Sequence, residues 1–240
     1  MGNFNSKKIN PFQNKYALGI IDVQNDFLKG GSLEVKDAEE ILAPINKLRF
    51  LCNNYMPTFF SQDCHPHNHM SFASTYDKEP FTKKVIKLNN GNEVIQVLLP
   101  NHCVKNTFGC EIHKDLIITD SDVFFIKGMK KNIESYSAFG DEYIGQYEDS
   151  GLKEWLIKQK ITDIIIVGLA TDFCIYNTVL DANTCGFKVH LILSCIRPVN
   201  NENSIEAINH MYSLKDVIIY NDINNFYLLN KDKFIIPSNF

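Results

Sequence analysis

Apolar positions along the chain follow two alternating patterns. Short, nearly unbroken apolar runs stand at 16–23 (Tyr-Ala-Leu-Gly-Ile-Ile-Asp-Val), 58–61, 123–127 (Val-Phe-Phe-Ile-Lys), 164–167 (Ile-Ile-Ile-Val), 187–193 and 216–220. Runs of this length that lack polar alternation predict strands buried on both faces. Between them, 37–52 places Ile41, Leu42, Ile45, Leu48 and Leu51 at helical spacing, and 151–160 does the same with Leu152, Trp155 and Leu156. Two further helices are expected over about 171–185 and 204–211. Buried strands alternating with amphipathic helices predict an α/β fold, a mostly parallel sheet with helices on both faces. Residues 75–92 are polar and lysine-rich and are expected to form a surface loop. The segment 221–240 carries Phe226, Tyr227, Leu228, Leu229, Phe234, Ile235 and Ile236, too apolar for a free tail, and is expected to pack on the domain or on a partner chain. The expected organisation is a polar extension over 1–14 followed by one domain over 15–240.

Composition narrows the function classes. A net charge of −4 over 240 residues provides no electrostatic case for nucleic acid. The seven cysteines have neither zinc-finger nor disulfide spacing and read as reduced thiols of a cytoplasmic or nuclear protein. No apolar run approaches the roughly 20 residues of a membrane span, and the polar start is not a secretory signal. Met1, Gly2 and Ser6 fit the N-myristoylation pattern with Gly2 as acceptor; a plain polar extension fits that short pattern equally well.

Candidate chemistry gathers at the predicted strand ends. In an open parallel sheet, ligands bind beyond the carboxyl ends of the strands. Gly168, Leu169 and Ala170 follow the run at 164–167, and Cys174 then falls in the first turn of the predicted helix. Helix N-termini favour anions, so a thiol there is expected to have a lowered pKa, although a buried structural cysteine is the commoner case. Asp22 and Lys127 end two other runs and would share that edge, as a base for the thiol proton and a cation for the developing charge. Asp63 and His65, two apart in extended chain, can face one ion, and carboxylate plus imidazole suits zinc, iron or manganese. A third ligand has to come from elsewhere.

Taken in order, Asp-Val-Gln-Asn-Asp-Phe (22–27), Asp-x-His-Pro-x-x-His-x-Ser-Phe (63–72), Leu-Pro-x-His-Cys-Val-x-x-Thr-x-Gly (99–109), Lys-Gly (127–128), Tyr-Ser-Ala-Phe (136–139) and Val-Gly-x-Ala-x-x-x-Cys (167–174) resemble the nicotinamidases, a family of isochorismatase-like cysteine hydrolases. The resemblance implies the isochorismatase-like fold and hydrolysis of nicotinamide to nicotinate and ammonia through a cysteine thioester, in NAD salvage. Another small ring or carbamoyl amide is the alternative substrate within the same superfamily. It further implies a triad of Asp22, Lys127 and Cys174, and a metal held by Asp63, His65 and His102. The ion is expected to be Zn2+, with Fe2+ or Mn2+ as alternatives. His69 matches a position that ligates in some members only. A cis Leu169–Ala170 peptide is implied, with the Ala170 and Cys174 N–H groups as oxyanion hole, and Phe27 and Tyr136 line the ring pocket. A small-molecule substrate is the implied partner, and a homo-oligomer is compatible with it. Two positions depart from the family: Leu99 stands where many relatives have Trp, and Cys64 where relatives often have an aromatic residue.

Overall fold

The computed structural model describes residues 15–52, 56–87, 93–143 and 146–230. Gly2 and the whole 1–14 extension lie outside the described residues, as do Phe234, Ile235 and Ile236. Six strands form the central sheet: β1 (Tyr16–Ile21), β2 (Thr58–Asp63), β5 (Val123–Lys127), β8 (Asp163–Leu169), β9 (Lys188–Arg197) and β10 (Val217–Tyr220). Their spatial order is β10-β9-β8-β1-β2-β5, and every neighbouring pair is parallel. The chain starts in the middle, builds outward to β5, returns across β1 to β8, and builds outward the other way. This winding leaves a topological switch point between β1 and β8, where the connections diverge and open a crevice at the carboxyl edge.

Helices cover both faces because β1 and β8 are apolar on both. Leu18, Ile20, Ile165 and Val167 pack with Leu42, Ile45 and Leu48 of α1 (Leu42–Cys52) and with Phe226 of α5 (Ile223–Asn230). Ala17, Ile21, Ile164 and Ile166 pack on the other side with α2 (Leu152–Lys158), α3 (Tyr176–Thr184) and α4 (Asn201–Ser213). Phe226 is buried against the domain, whereas Leu228 and Leu229 are exposed, so the described part of the apolar tail docks only in part.

The structure corrects the expected surface loop over 75–92. It contains β3 (Lys83–Lys87), which pairs antiparallel with β4 (Glu93–Val97). The Lys-Lys-Val-Ile-Lys sequence has strand propensity, but its lysine content masks the signal; pairing Lys87 with Glu93 and Val85 with Ile95 supplies cross-strand partners. A second small pair, β6 (Gly140–Tyr143) with β7 (Gln146–Asp149), was also not expected from its polar sequence. The helix expected over 171–185 is split: a π-helical turn, Thr171–Ile175, precedes α3. No described helix is long and apolar enough to cross a membrane.

Candidate active site

Three strand ends place the first group of side chains. β1 stops at Ile21, and Asp22 turns out of the strand with φ +48°. Lys127 is the last residue of β5, and β8 ends at Leu169, followed by a cis Leu169–Ala170 peptide and the π-helical turn that carries Cys174. Gly168 is required at this crossing: its φ is +122°, and a Cβ there would fall 2.1 Å from the Ile21 carbonyl oxygen. The switch point thus brings Asp22 and Cys174 together from the adjacent strands β1 and β8. Lys127 reaches in from the sheet edge.

Lys127 is the hub. Its Nζ lies 2.9 Å from Asp22 Oδ2 and 2.5 Å from Asp63 Oδ1, donates to the Ser135 carbonyl at 3.0 Å, and lies 3.4 Å from Cys174 Sγ. The ammonium is fully buried, which alone would favour the neutral amine, but Asp22 and Asp63 outweigh burial and hold its pKa well above the ordinary lysine value. Asp22 accepts from Ser61 Oγ at 2.6 Å. Burial raises the Asp22 pKa, Lys127 opposes this in part, and Asp63 adds to the rise. The Cys174 thiol departs from expectation. Burial pushes its pKa well above that of a free thiol, and Lys127 offsets this only partly. A helix N-terminus lowers a thiol pKa where water also solvates the thiolate; here Cys174 is buried and its sulfur faces two carboxylates. The resting group is a neutral thiol beside a base that has itself been made more basic.

The second group faces the first across Asp63. His65 Nδ1 lies 2.9 Å from the Gly128 carbonyl oxygen, and His102 Nδ1 lies 2.8 Å from that of Pro100. Only a protonated nitrogen bonds a carbonyl, so in each neutral ring Nε2 carries the lone pair. Burial and the neighbouring His65 bring the His102 pKa down to about 4, which keeps this ring neutral. His65 Nε2 is buried, has no hydrogen-bond partner, and lies 3.5 Å from Asp63 Oδ2. One carboxylate oxygen and two imidazole nitrogens from Asp63, His65 and His102 all lie within 4.8 Å of one another. Burial works to lower the His65 pKa, but Asp63 raises it; a carboxylate oxygen and two imidazoles, each fixed by its other nitrogen, fit a divalent metal ion. Gly128 makes room for this: at φ +68°, any Cβ would come within 2.4 Å of the His65 ring. His69 is placed differently. Its Nδ1 pairs with Ser71 Oγ at 2.7 Å and its Nε2 with the Ile133 carbonyl at 2.9 Å, so both nitrogens are engaged.

Both groups lie beside one cleft, lined by Phe27, Leu99 and Tyr136 together with Asp63, His102, Ala170 and Cys174. Leu33, Glu134, Phe173 and Val199 line it as well, and sequence reasoning did not single them out. Phe173 was adjacent to the nucleophile candidate and could have been read from that. Glu134 had no such signal: its carboxylate is buried, and Oε2 has no hydrogen-bond partner. Sequence reasoning also gave no role to Gln24. Its side-chain amide exchanges two 2.8 Å hydrogen bonds with the backbone N–H and C=O of Asp63 and holds that carboxylate's base in place. Asp26 acts similarly on the loop after His102, accepting from the Cys103 N–H at 2.7 Å.

Comparison with known proteins bears out the fold. The isochorismatase domain family matches residues 16–219. The nicotinamidase of Acinetobacter baylyi is 38% identical over 194 residues, covering 80% of this chain and 86% of that protein. The structure of the yeast nicotinamidase bound to the inhibitor nicotinaldehyde aligns with a TM-score of 0.79 at 28% identity, over 85% of this chain and 100% of that one. The pyrazinamidase of Pyrococcus horikoshii in complex with zinc aligns with a TM-score of 0.69 at 27% identity, over 86% and 98% of the two chains. With its parallel sheet, its switch-point cleft and this degree of identity, the chain belongs to the isochorismatase domain family and, within it, to the nicotinamidases.

Proposed function

We propose that this chain hydrolyses nicotinamide to nicotinate and ammonia through a thioester on Cys174, serving NAD salvage. The observation that carries the reading is that Lys127 joins Asp22 to Cys174 behind a cleft lined by Cys174, Asp63 and His102, with His65 buried beside Asp63. The relatives support the substrate: nicotinamidases of bacteria and yeast share most of the chain, and the yeast enzyme takes a pyridine aldehyde as inhibitor. An aldehyde carbon is an electrophile of the kind a thiol attacks, placed where the carboxamide carbon of nicotinamide would be.

The reaction follows from the side chains. Asp22 takes the thiol proton as Sγ attacks the carboxamide carbon, and Lys127 neutralises the charge that would otherwise build up between two carboxylates. The N–H groups of Ala170 and Cys174 receive the oxyanion. Asp22 hands its proton to the departing ammonia, then activates the water that cleaves the thioester. Phe27, Leu99 and Tyr136 hold the ring and exclude bulk water. Asp63, His65 and His102 would hold the metal, which we assign as zinc by analogy with the zinc-bound Pyrococcus protein. When bound there, the ion supplies a Lewis-acidic anchor for the ring nitrogen and polarises the ring. Ammonia release from nicotinamide by the purified protein tests the reading. Turnover that is lost on chelation and restored by Zn2+ is expected; no ammonia from nicotinamide in metal-replete protein would overturn it.

A further inference from the structure

Strand β5 is the last strand at one end of the central sheet, so one of its edges is open. On its other edge, the Lys127 carbonyl accepts from the Cys64 N–H at 3.0 Å. Backbone groups alternate along a strand. Val123, Phe125 and Lys127 therefore face β2, while the N–H and C=O of Phe124 and Ile126 point away from the sheet. None of those outward groups is hydrogen-bonded to a described residue. Strands that stay single at a sheet edge usually carry a proline, a bulge or an exposed lysine there. β5 has none of these. It registers with β2 without a bulge, and its one charged residue, Lys127, is buried in the site. The two positions whose backbone is open are apolar: Phe124 and Ile126 are each 40% exposed. Phe124 is held in place by stacking on Phe60 at 5.1 Å. Apolar surface continues off the strand, with Ile117 and Ile118 exposed before it and Met129 after it.

We propose that this edge is the contact between two copies of the chain, with β5 pairing antiparallel to its own copy about a two-fold axis at Phe125, so that the two sheets become one. The register follows from the alternation. In an antiparallel hydrogen-bonded pair, two opposite residues exchange both of their backbone bonds. An axis at Phe125 sets Phe124 of one copy opposite Ile126 of the other, and the reverse. Every outward N–H and C=O of both strands then finds a partner, and the Phe124 and Ile126 side chains meet across the pair on one face. Charge selects the same arrangement. The segment entering β5 carries Asp120 and the segment leaving it carries Lys130 and Lys131, all three exposed. Antiparallel pairing lays the entry of one copy beside the exit of the other, and two-fold symmetry repeats this, so acid meets base at both ends. A parallel pairing would instead set Asp120 beside Asp120 and the lysines beside the lysines.

Sedimentation equilibrium of the full chain over a concentration series tests this, and a monomer–dimer equilibrium is expected. Ile126→Lys puts a lysine on each edge and is expected to raise the dimer dissociation constant at least about 100-fold. Asp120→Lys sets cation against cation and should raise it about tenfold; adding Lys130→Asp and Lys131→Asp to that variant should restore it. The register is read by zero-length carbodiimide cross-linking of a mixture of isotopically light and heavy chain. The expected product joins Asp120 to Lys130 or Lys131, with one light and one heavy peptide. Within one chain these residues lie at opposite ends of β5, roughly 15 Å or more apart at about 3.3 Å per residue, too far for such a link. A monomer at every concentration overturns the proposal, as does a dimer that survives Ile126→Lys in folded protein or that cross-links elsewhere. A dimer indifferent to Asp120→Lys overturns the antiparallel register. If Ile126→Lys fails to fold, the exposed Asp120 variants and the cross-link map decide the question.

Discussion

Strand β8 runs between two buried polar clusters of opposite character. At its amino end, Asp163 Oδ1 pairs with His190 Nε2 at 2.9 Å, Asp163 Oδ2 accepts from the Thr162 hydroxyl at 2.7 Å, and His190 Nδ1 meets the Tyr220 hydroxyl at 2.9 Å. Asn230 Nδ2 donates to that hydroxyl at 3.2 Å and closes the chain. Past its carboxyl end, Lys127 bridges two carboxylates, while His65 Nε2, Glu134 Oε2, Ser135 Oγ and Thr171 Oγ1 are buried with no hydrogen-bond partner. Burying an unpaired polar atom costs about 1–3 kcal/mol, so the second cluster is expensive as a structural device. Such open valences are places where a ligand or water can bind. Saturated polar networks hold a fold; unsaturated ones are where it does chemistry.

The comparison breaks most sharply at Cys174. Cys174→Ala is expected to lower turnover by at least about 10⁴-fold, since no other group can act as the nucleophile, while thermal stability and metal content stay near wild type. Asp22→Asn should come close to this, because the thiol loses its base. Substantial turnover in Cys174→Ala would show that the open cluster does not work by covalent catalysis.

Lys127→Met tests the electrostatic half of the claim. Removing the ammonium leaves Asp22 and Asp63 facing each other in a dry site, and breaking a buried pair in this way costs about 3–5 kcal/mol. We expect a large fall in the urea midpoint together with loss of turnover. A variant of normal stability would mean that water already screens the two carboxylates.

Asp163→Asn is the matching change in the saturated cluster. It should cost about 1–3 kcal/mol of stability and leave kcat unchanged, because nothing there faces the cleft. The pH dependence has a definite sign. Burial works to raise the Asp163 pKa, but the His190 and Thr162 hydrogen bonds win and hold it below the ordinary aspartate value. A depressed carboxylate stabilises the fold above its unfolded pKa of about 3.9, and the contribution is lost as pH falls through the folded value. The variant should therefore show a shallower loss of stability on acidification. An equally steep acid limb in wild type and variant would rule Asp163 out as its source.

How much of this was legible beforehand depended on what kind of residue carried the signal. The strands β1 and β8 were readable because both of their faces are buried, which leaves an unbroken apolar run. The meeting of Asp22, Lys127 and Cys174 was readable because open sheets place ligands at strand carboxyl ends, and these residues stand at or just beyond three of them. The pairing of β3 with β4 was not, because the three lysines of β3 mask its hydrophobic pattern. The raised pKa of the Cys174 thiol was also out of reach, since it reflects enclosure by the whole cleft and not the local turn. Glu134 and Gln24 were missed for a related reason: burial of one and the backbone pairing of the other exist only once distant segments have met.

The smallest expected effect lies on the apolar wall of the open cluster. Leu99 is 7% exposed, lines the cleft, and bridges by backbone to Phe72, whose ring packs edge-on against His102 at 5.3 Å. A leucine gives a ring dispersion contact but no stacking, and aromatic pairs gain about 0.5–1.5 kcal/mol beyond their buried area. Leu99→Trp is therefore expected to tighten nicotinamide binding by at most about tenfold, with little change in kcat. The indole has to fit where Leu99 now packs, and if the wall has closed around the smaller side chain the larger one will overfill it and weaken binding instead. Calorimetric titration of Cys174→Ala and of Cys174→Ala/Leu99→Trp with nicotinamide separates the two cases without turnover. Identical affinities in both proteins would show that Leu99 does not contact the ring, and would leave Phe27 and Tyr136 as its aromatic partners.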